Sequence, residues 1–143
     1  MTLVSGQTRR KIEVASVGGW KYTVDSAINL ILYTDLEKYG LLMKYCRKVD
    51  FGTGKFSTTE PPNTIVISSK DMELNSVNNV AAVLIHESYH LYYFNEGIKI
   101  GGDREELECY RYEYDFLSKL PTIEDWLFRH EMNQIIYYSN RVK

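Results

Sequence analysis

His86, Glu87 and His90 stand in the run HESYH, and side chains of these types at this spacing can do metal chemistry. On a helix, residues four apart lie one turn apart on the same face, so both imidazoles can reach a single cation. Glu87 lies one residue on, about 100° around the helix, where it can act on a water that the cation holds. In this H-E-x-x-H arrangement a zinc ion acidifies the water and the glutamate takes its proton. With three histidines and twelve glutamates in 143 residues, composition alone gives the pattern only about 0.005 times per chain, so coincidence is a poor account of it.

These residues need a rigid element beneath them. Residues 80–94 are apolar almost all round, which predicts a buried helix, ended by Gly97. An unpaired carboxylate there would cost several kcal/mol, and a metal offsets that cost. The plain alternative is a pair of hydrogen-bonded core histidines with Glu87 at the surface.

Two histidines and a water leave one tetrahedral position open. The next predicted helix, 104–120, offers Glu105, Glu106, Glu108 and Glu113. On a helical wheel Cys109, Tyr110, Tyr114, Phe116, Leu117 and Leu120 form an apolar arc, with Glu108, Arg111, Asp115 and Lys119 opposite. Glu106 falls near the middle of that arc, and a carboxylate there needs a cation, so Glu106 is the expected third ligand. Glu113 shares the side and is a reserve or supporting group, Glu105 lies at the edge, and Glu108 belongs to the polar face. An exposed first-turn glutamate, favoured by the helix dipole, is the plain alternative for Glu106.

In these residues the sequence resembles the gluzincin-type metallopeptidases, and within them the ImmA/IrrE-type and HtpX-type peptidases. There two histidines of H-E-x-x-H are completed by a glutamate on the following helix. Glu106-Leu107-Glu108-Cys109-Tyr110 takes the place of that second motif. The resemblance spans about residues 65–121 and implies a minimal zincin domain with Glu106 as ligand. Cys109-Tyr110 departs from the alanine and small polar residue of the family, which would leave Tyr110 to support a ligand histidine. The LYYFNEG after His90 lacks the glycine and third histidine of metzincins. A SprT-like histidine ligand would have to be His130, whose run HEMNQ lies on an amphipathic helix and reads as a core or surface histidine.

Around the site, a strand is expected at 11–17 and one long helix, or two broken near Gly40, over 23–46. Another strand is expected within 47–59, then the β-branched strand Thr64–Ser68, then a polar stretch offering Asn75 and Ser76 as helix N-caps. A last helix should run over 123–140. This order predicts an α+β fold, a small sheet packed on the buried helix, in a single domain over 1–143.

The net charge of -2 with 25% charged residues argues against a nucleic-acid binder. Arg9, Arg10 and Lys11 read as a solvated terminus. Cys46 and Cys109, in no C-x-x-C pair, argue against a disulfide scaffold and for a reducing compartment. With no signal-peptide core and no membrane-length apolar run, a cytoplasmic protein is expected, and small phage- or mobile-element-encoded proteins share these features. Twelve tyrosines suggest boundary core. Tyr89, Tyr92, Tyr93 and Tyr110 are near enough in sequence to donate to an oxyanion, and strand Thr64–Ser68 to pair with an extended substrate. The expected function is a zinc-dependent peptidase acting on a peptide or protein, with Glu87 as general base. The alternative is a catalytically silent structural or regulatory protein of the same fold.

Overall fold

The structure, a computed structural model, describes residues 11–143. Arg9 and Arg10 of the basic stretch lie outside the described residues. The fold is α+β. In chain order come β1 (Glu13–Val14), α1 (Trp20–Thr34), α2 (Leu36–Tyr45), β2 (Lys48–Gly52), β3 (Thr58–Glu60), β4 (Thr64–Ser68), α3 (Ser69–Glu73), α4 (Val77–Asn95), α5 (Gly102–Leu117) and α6 (Asp125–Arg141).

The four strands form one mixed sheet in the order β1-β2-β4-β3. β2 runs parallel to β1 and to β4, with Val49 opposite Ile65 and Phe51 opposite Ile67. β3 is antiparallel to β4, with Thr59 opposite Ile65. Alternation puts Ile65 and Ile67 on the buried face. β4 is therefore an interior strand whose two edges are both paired. The expected pairing of Thr64–Ser68 with an extended substrate is not available, and the outer edge belongs to β3.

The helix bearing HESYH is the centre of the fold. α4 packs on α1, α2, α5 and strands β3 and β4. Such enclosure demands apolar side chains on every face, and Val80, Ala81, Ala82, Leu84, Ile85 and Leu91 supply them. Each large aliphatic side chain so buried contributes about 1.5–3 kcal/mol. Ser76 caps α4 by accepting from the Asn79 N–H at 3.0 Å, and Gly97, at φ 68°, takes the left-handed conformation just past its end.

The break in the first helical region lies at Asp35, five residues before Gly40. Asp35 leaves helical conformation (φ -149°) and its carboxylate caps α2 by accepting from the Lys38 N–H. A capping carboxylate stops a helix more decisively than an interior glycine, which costs about 1 kcal/mol and is tolerated. Asp35 also binds Lys38 Nζ at 3.0 Å and Lys119 Nζ at 2.7 Å, tying the α1–α2 corner to the end of α5. The expected strand at 11–17 shrinks to two residues, and the polar stretch before Ser76 contains the short helix α3, capped by Ser68. At the other end Glu124 accepts from Ser76 Oγ and Asn78 Nδ2, fixing the start of α6 beside the start of α4.

Candidate metal centre

α4 and α5 lie side by side, and three glutamates of α5 meet two histidines of α4 in opposite chain order. His86 Nε2 is 3.0 Å from one oxygen of Glu106, and His90 Nε2 is 3.0 Å from the other. The remaining nitrogens are held as well: His86 Nδ1 is 2.8 Å from Glu113 Oε1, and His90 Nδ1 is 2.6 Å from Glu105 Oε2. The two Nε2 atoms and the Glu106 carboxylate thus face one another, while Glu113 and Glu105 fix the ring planes from behind. Two donors about 2.0–2.2 Å from one tetrahedral zinc lie about 3.3 Å apart, close to the separations here. Imidazole nitrogen and carboxylate oxygen are also the donor chemistry that zinc takes.

The depth of the three glutamates separates their roles. Glu113 is buried, whereas the Glu106 side chain is 34% exposed, and both line one cleft. The helical wheel placed Glu106 at the centre of the buried face; that place belongs to Glu113. The side chain that holds His86 is Glu113, in the supporting place the sequence allowed it, and not Tyr110, whose ring packs edge-on against His86 at 4.3 Å. Glu108 instead pairs with Arg111.

Burial opposes ionisation of Glu106, but hydrogen bonds from His86 and His90 outweigh it and bring the carboxyl down to about 2. Burial likewise disfavours charge on His86 and His90, and Glu106 reverses it, raising both. Glu87 is 8% exposed and lines the same cleft. Burial lifts its carboxyl to about 7 against the lowering influence of His86 and His90, with Glu106 and Asp71 adding to the rise. A carboxyl so placed exchanges a proton near neutral pH.

Behind Glu113 stands Glu131 of α6, fully buried, with no regular hydrogen-bond partner for either oxygen among the described residues. Burial and the adjoining Glu113 lift Glu131 to about 11, and burial lifts Glu113 to about 8. Glu131 is therefore a neutral acid at pH 7, backing the carboxyl that holds His86. Glu113→Gln should weaken zinc binding about 10–100-fold, the usual cost of losing such an outer partner. Competition with a chromophoric chelator checks this; unchanged affinity would remove Glu113 from the centre.

The cleft, about 560 Å³, runs between residues 55–59, α4, α5 and α6, and its lining includes His86, Glu87, His90 and Glu106. Its near wall is braced by Asp71, which accepts from Ser57 Oγ at 2.6 Å and Asn79 Nδ2 at 3.1 Å. Its far wall is α6, which brings His130, Gln134 and Tyr138. His130 is exposed, in keeping with its reading as a surface histidine, and borders the cleft, where partial enclosure of the ring keeps it below its ordinary pKa. Of the four tyrosines considered for an oxyanion, only Tyr110 lines the cleft. Tyr89 stacks on Tyr112 at 4.0 Å and on Tyr92 at 5.3 Å, with Tyr93 against its edge, in a separate packed cluster.

Sequence reasoning also missed Cys109, which is buried and whose sulfur joins His86 and His90 in a set of donor atoms lying within 4.8 Å of one another. Its place on the apolar arc of α5 was the available signal. A wider groove of about 750 Å³, bordered by Lys44, Arg47 and Glu96, has no histidine or cysteine in its lining. Among the described residues no helix is long and apolar enough to cross a membrane. Comparisons of the chain with protein-family models, with curated proteins and with solved structures return no match.

Proposed function

We propose that this chain is a zinc-dependent peptidase of minimal zincin type, with His86, His90 and Glu106 as ligands and Glu87 as general base. The observation that carries this reading is the Glu106 carboxylate, each oxygen of which lies 3.0 Å from the Nε2 of a different histidine of HESYH. A bound zinc ion would supply an acidified water and a Lewis acid for the scissile carbonyl.

The rest falls to the chain's own residues. Glu87 accepts the proton of the attacking water and returns it to the departing amine. Glu113 and Glu105 hold the Nδ1 atoms of the two rings, which leaves both Nε2 atoms free to hold a cation were one bound. The open edge of β3, whose Thr58 and Thr59 border the cleft, offers backbone groups to an extended peptide. His130, Tyr110 and Tyr138 stand along the cleft as donors toward a substrate carbonyl. A peptide or unfolded protein segment is the substrate class.

Glu87→Gln should retain zinc and lose about 100-fold or more of the cleavage rate on a mixture of unfolded polypeptides, since it removes the base and keeps the ligands. Cleavage by the variant at the wild-type rate would exclude this mechanism. The second reading is a silent metal protein, which the nearness of Cys109 to both histidines favours. Stoichiometric zinc with no Glu87-dependent cleavage would support it.

A further inference from the structure

Cys109 lies one turn after Glu106 on α5, fully buried, in no disulfide, and level with the two histidines. Donor atoms of His86, His90 and Cys109 all lie within 4.8 Å of one another. Nitrogen and sulfur donors on one tetrahedral zinc-sized ion, at about 2.0 and 2.3 Å, stand about 3.5 Å apart, so a small side-chain rotation separates the observed positions from shared coordination. The surroundings otherwise silence this thiol. Burial first, and then the negative charges of Glu106, Glu87, Glu105 and Glu113, hold it protonated far above its ordinary pKa. It is therefore no nucleophile, because thiol reactivity belongs to the thiolate.

We propose that Cys109 is a latent ligand that, with His86 and His90, takes a thiophilic divalent cation and closes the position a catalytic site keeps for water. This rests on the reading that His86 and His90 hold metal. On binding, the S–H bond breaks, a sulfur–metal bond forms, and the proton passes to solvent. One more proton is therefore released per cation than in the mode that uses Glu106 alone. The positive charge of the cation offsets the carboxylates that otherwise keep the thiol neutral. The thiolate mode favours cadmium over zinc, and far more over magnesium or manganese, because soft ligands select soft ions. A catalytic centre with three protein ligands becomes a closed, four-ligand one when Glu106 stays bound. The same chain would thus be hydrolytic with one ion and inert with another.

The test is titration of the metal-free full chain with Cd²⁺, followed by thiolate-to-metal charge-transfer absorption in the ultraviolet and by proton release. Wild type and Cys46→Ser should show the band at one equivalent, and Cys109→Ser and Cys109→Ala should lack it. The two Cys109 variants should also bind Cd²⁺ about tenfold or more weakly and release one proton fewer, a thiolate being a preferred ligand for such an ion. Circular dichroism on each variant establishes that it is folded. Cd²⁺ binding that depends on His86 and His90 but gives no band, or a band that survives loss of Cys109, overturns the proposal and leaves the metal centre standing. Absence of any stoichiometric binding of Zn²⁺ or Cd²⁺ by wild type overturns both.

Discussion

Glu106→Ala is expected to lower zinc affinity by more than the about 10–100-fold that losing an outer hydrogen-bonding partner costs, since it removes a ligand outright. Both Nε2 atoms lose the carboxylate they share, and the two histidines alone hold a cation poorly. Glu108→Ala, two residues along, should leave affinity unchanged, because Glu108 pairs with Arg111 on the outer face. Competition against a chromophoric chelator measures both variants in the same buffer. Equal losses, or none in either, would show that the meeting of Glu106 with the histidines is an ion pair and not a coordination set.

Glu131→Gln is expected to stabilise the metal-free protein, by an amount that grows with pH. Glu131 is fully buried with both carboxyl oxygens lacking a regular partner among the described residues, and burial together with Glu113 lifts it from 4.5 to about 11. The sign follows from proton linkage. The folded state keeps a proton on this group that the unfolded chain releases above about pH 4.3, so wild-type stability falls as pH rises through the neutral range. Glutamine has no proton to lose. The gap between variant and wild type should therefore widen from pH 5 to pH 8, by at most about 1.4 kcal/mol per unit. Thermal unfolding at three pH values in the presence of a chelator measures it; parallel curves would mean that Glu131 is ionised in the fold. It stands behind Glu113, whose Oε1 lies 2.8 Å from His86 Nδ1.

HESYH and the enclosure of its helix were legible because both are local. Four-residue spacing fixes a shared face, and an apolar run on all faces fixes burial. Glu106 could be ranked above Glu108 because periodicity separates the faces of α5, yet periodicity could not rank its depth against Glu113. Depth follows from how α5 lies against α4, and that crossing is set by packing along the whole contact. Glu113 was legible as a supporting group and Glu105 as an edge residue, but their pairings with His86 and His90, and the place of Glu131, were hidden for the same reason, since each is met across helices. His130 and Tyr138 reach the cleft because α6 packs along α5 and Glu124 pins its start beside the start of α4. The edge position of β3 was hidden because sheet order is not sequence order; β4 reads as a strong strand, but its strength reflects pairing on both sides. The helix break at Asp35 was overlooked in favour of Gly40, although an aspartate able to cap the next turn is the stronger local signal.

Zinc content is the measurement closest to the central claim. Full-length protein, purified without chelators and analysed by elemental mass spectrometry, should carry one zinc per chain. Glu87→Gln should keep it, and His86→Ala should lose it while remaining folded by circular dichroism. A folded wild type without stoichiometric metal after equilibration with zinc, or a metal that persists in His86→Ala and His90→Ala alike, would contradict the assignment of this centre.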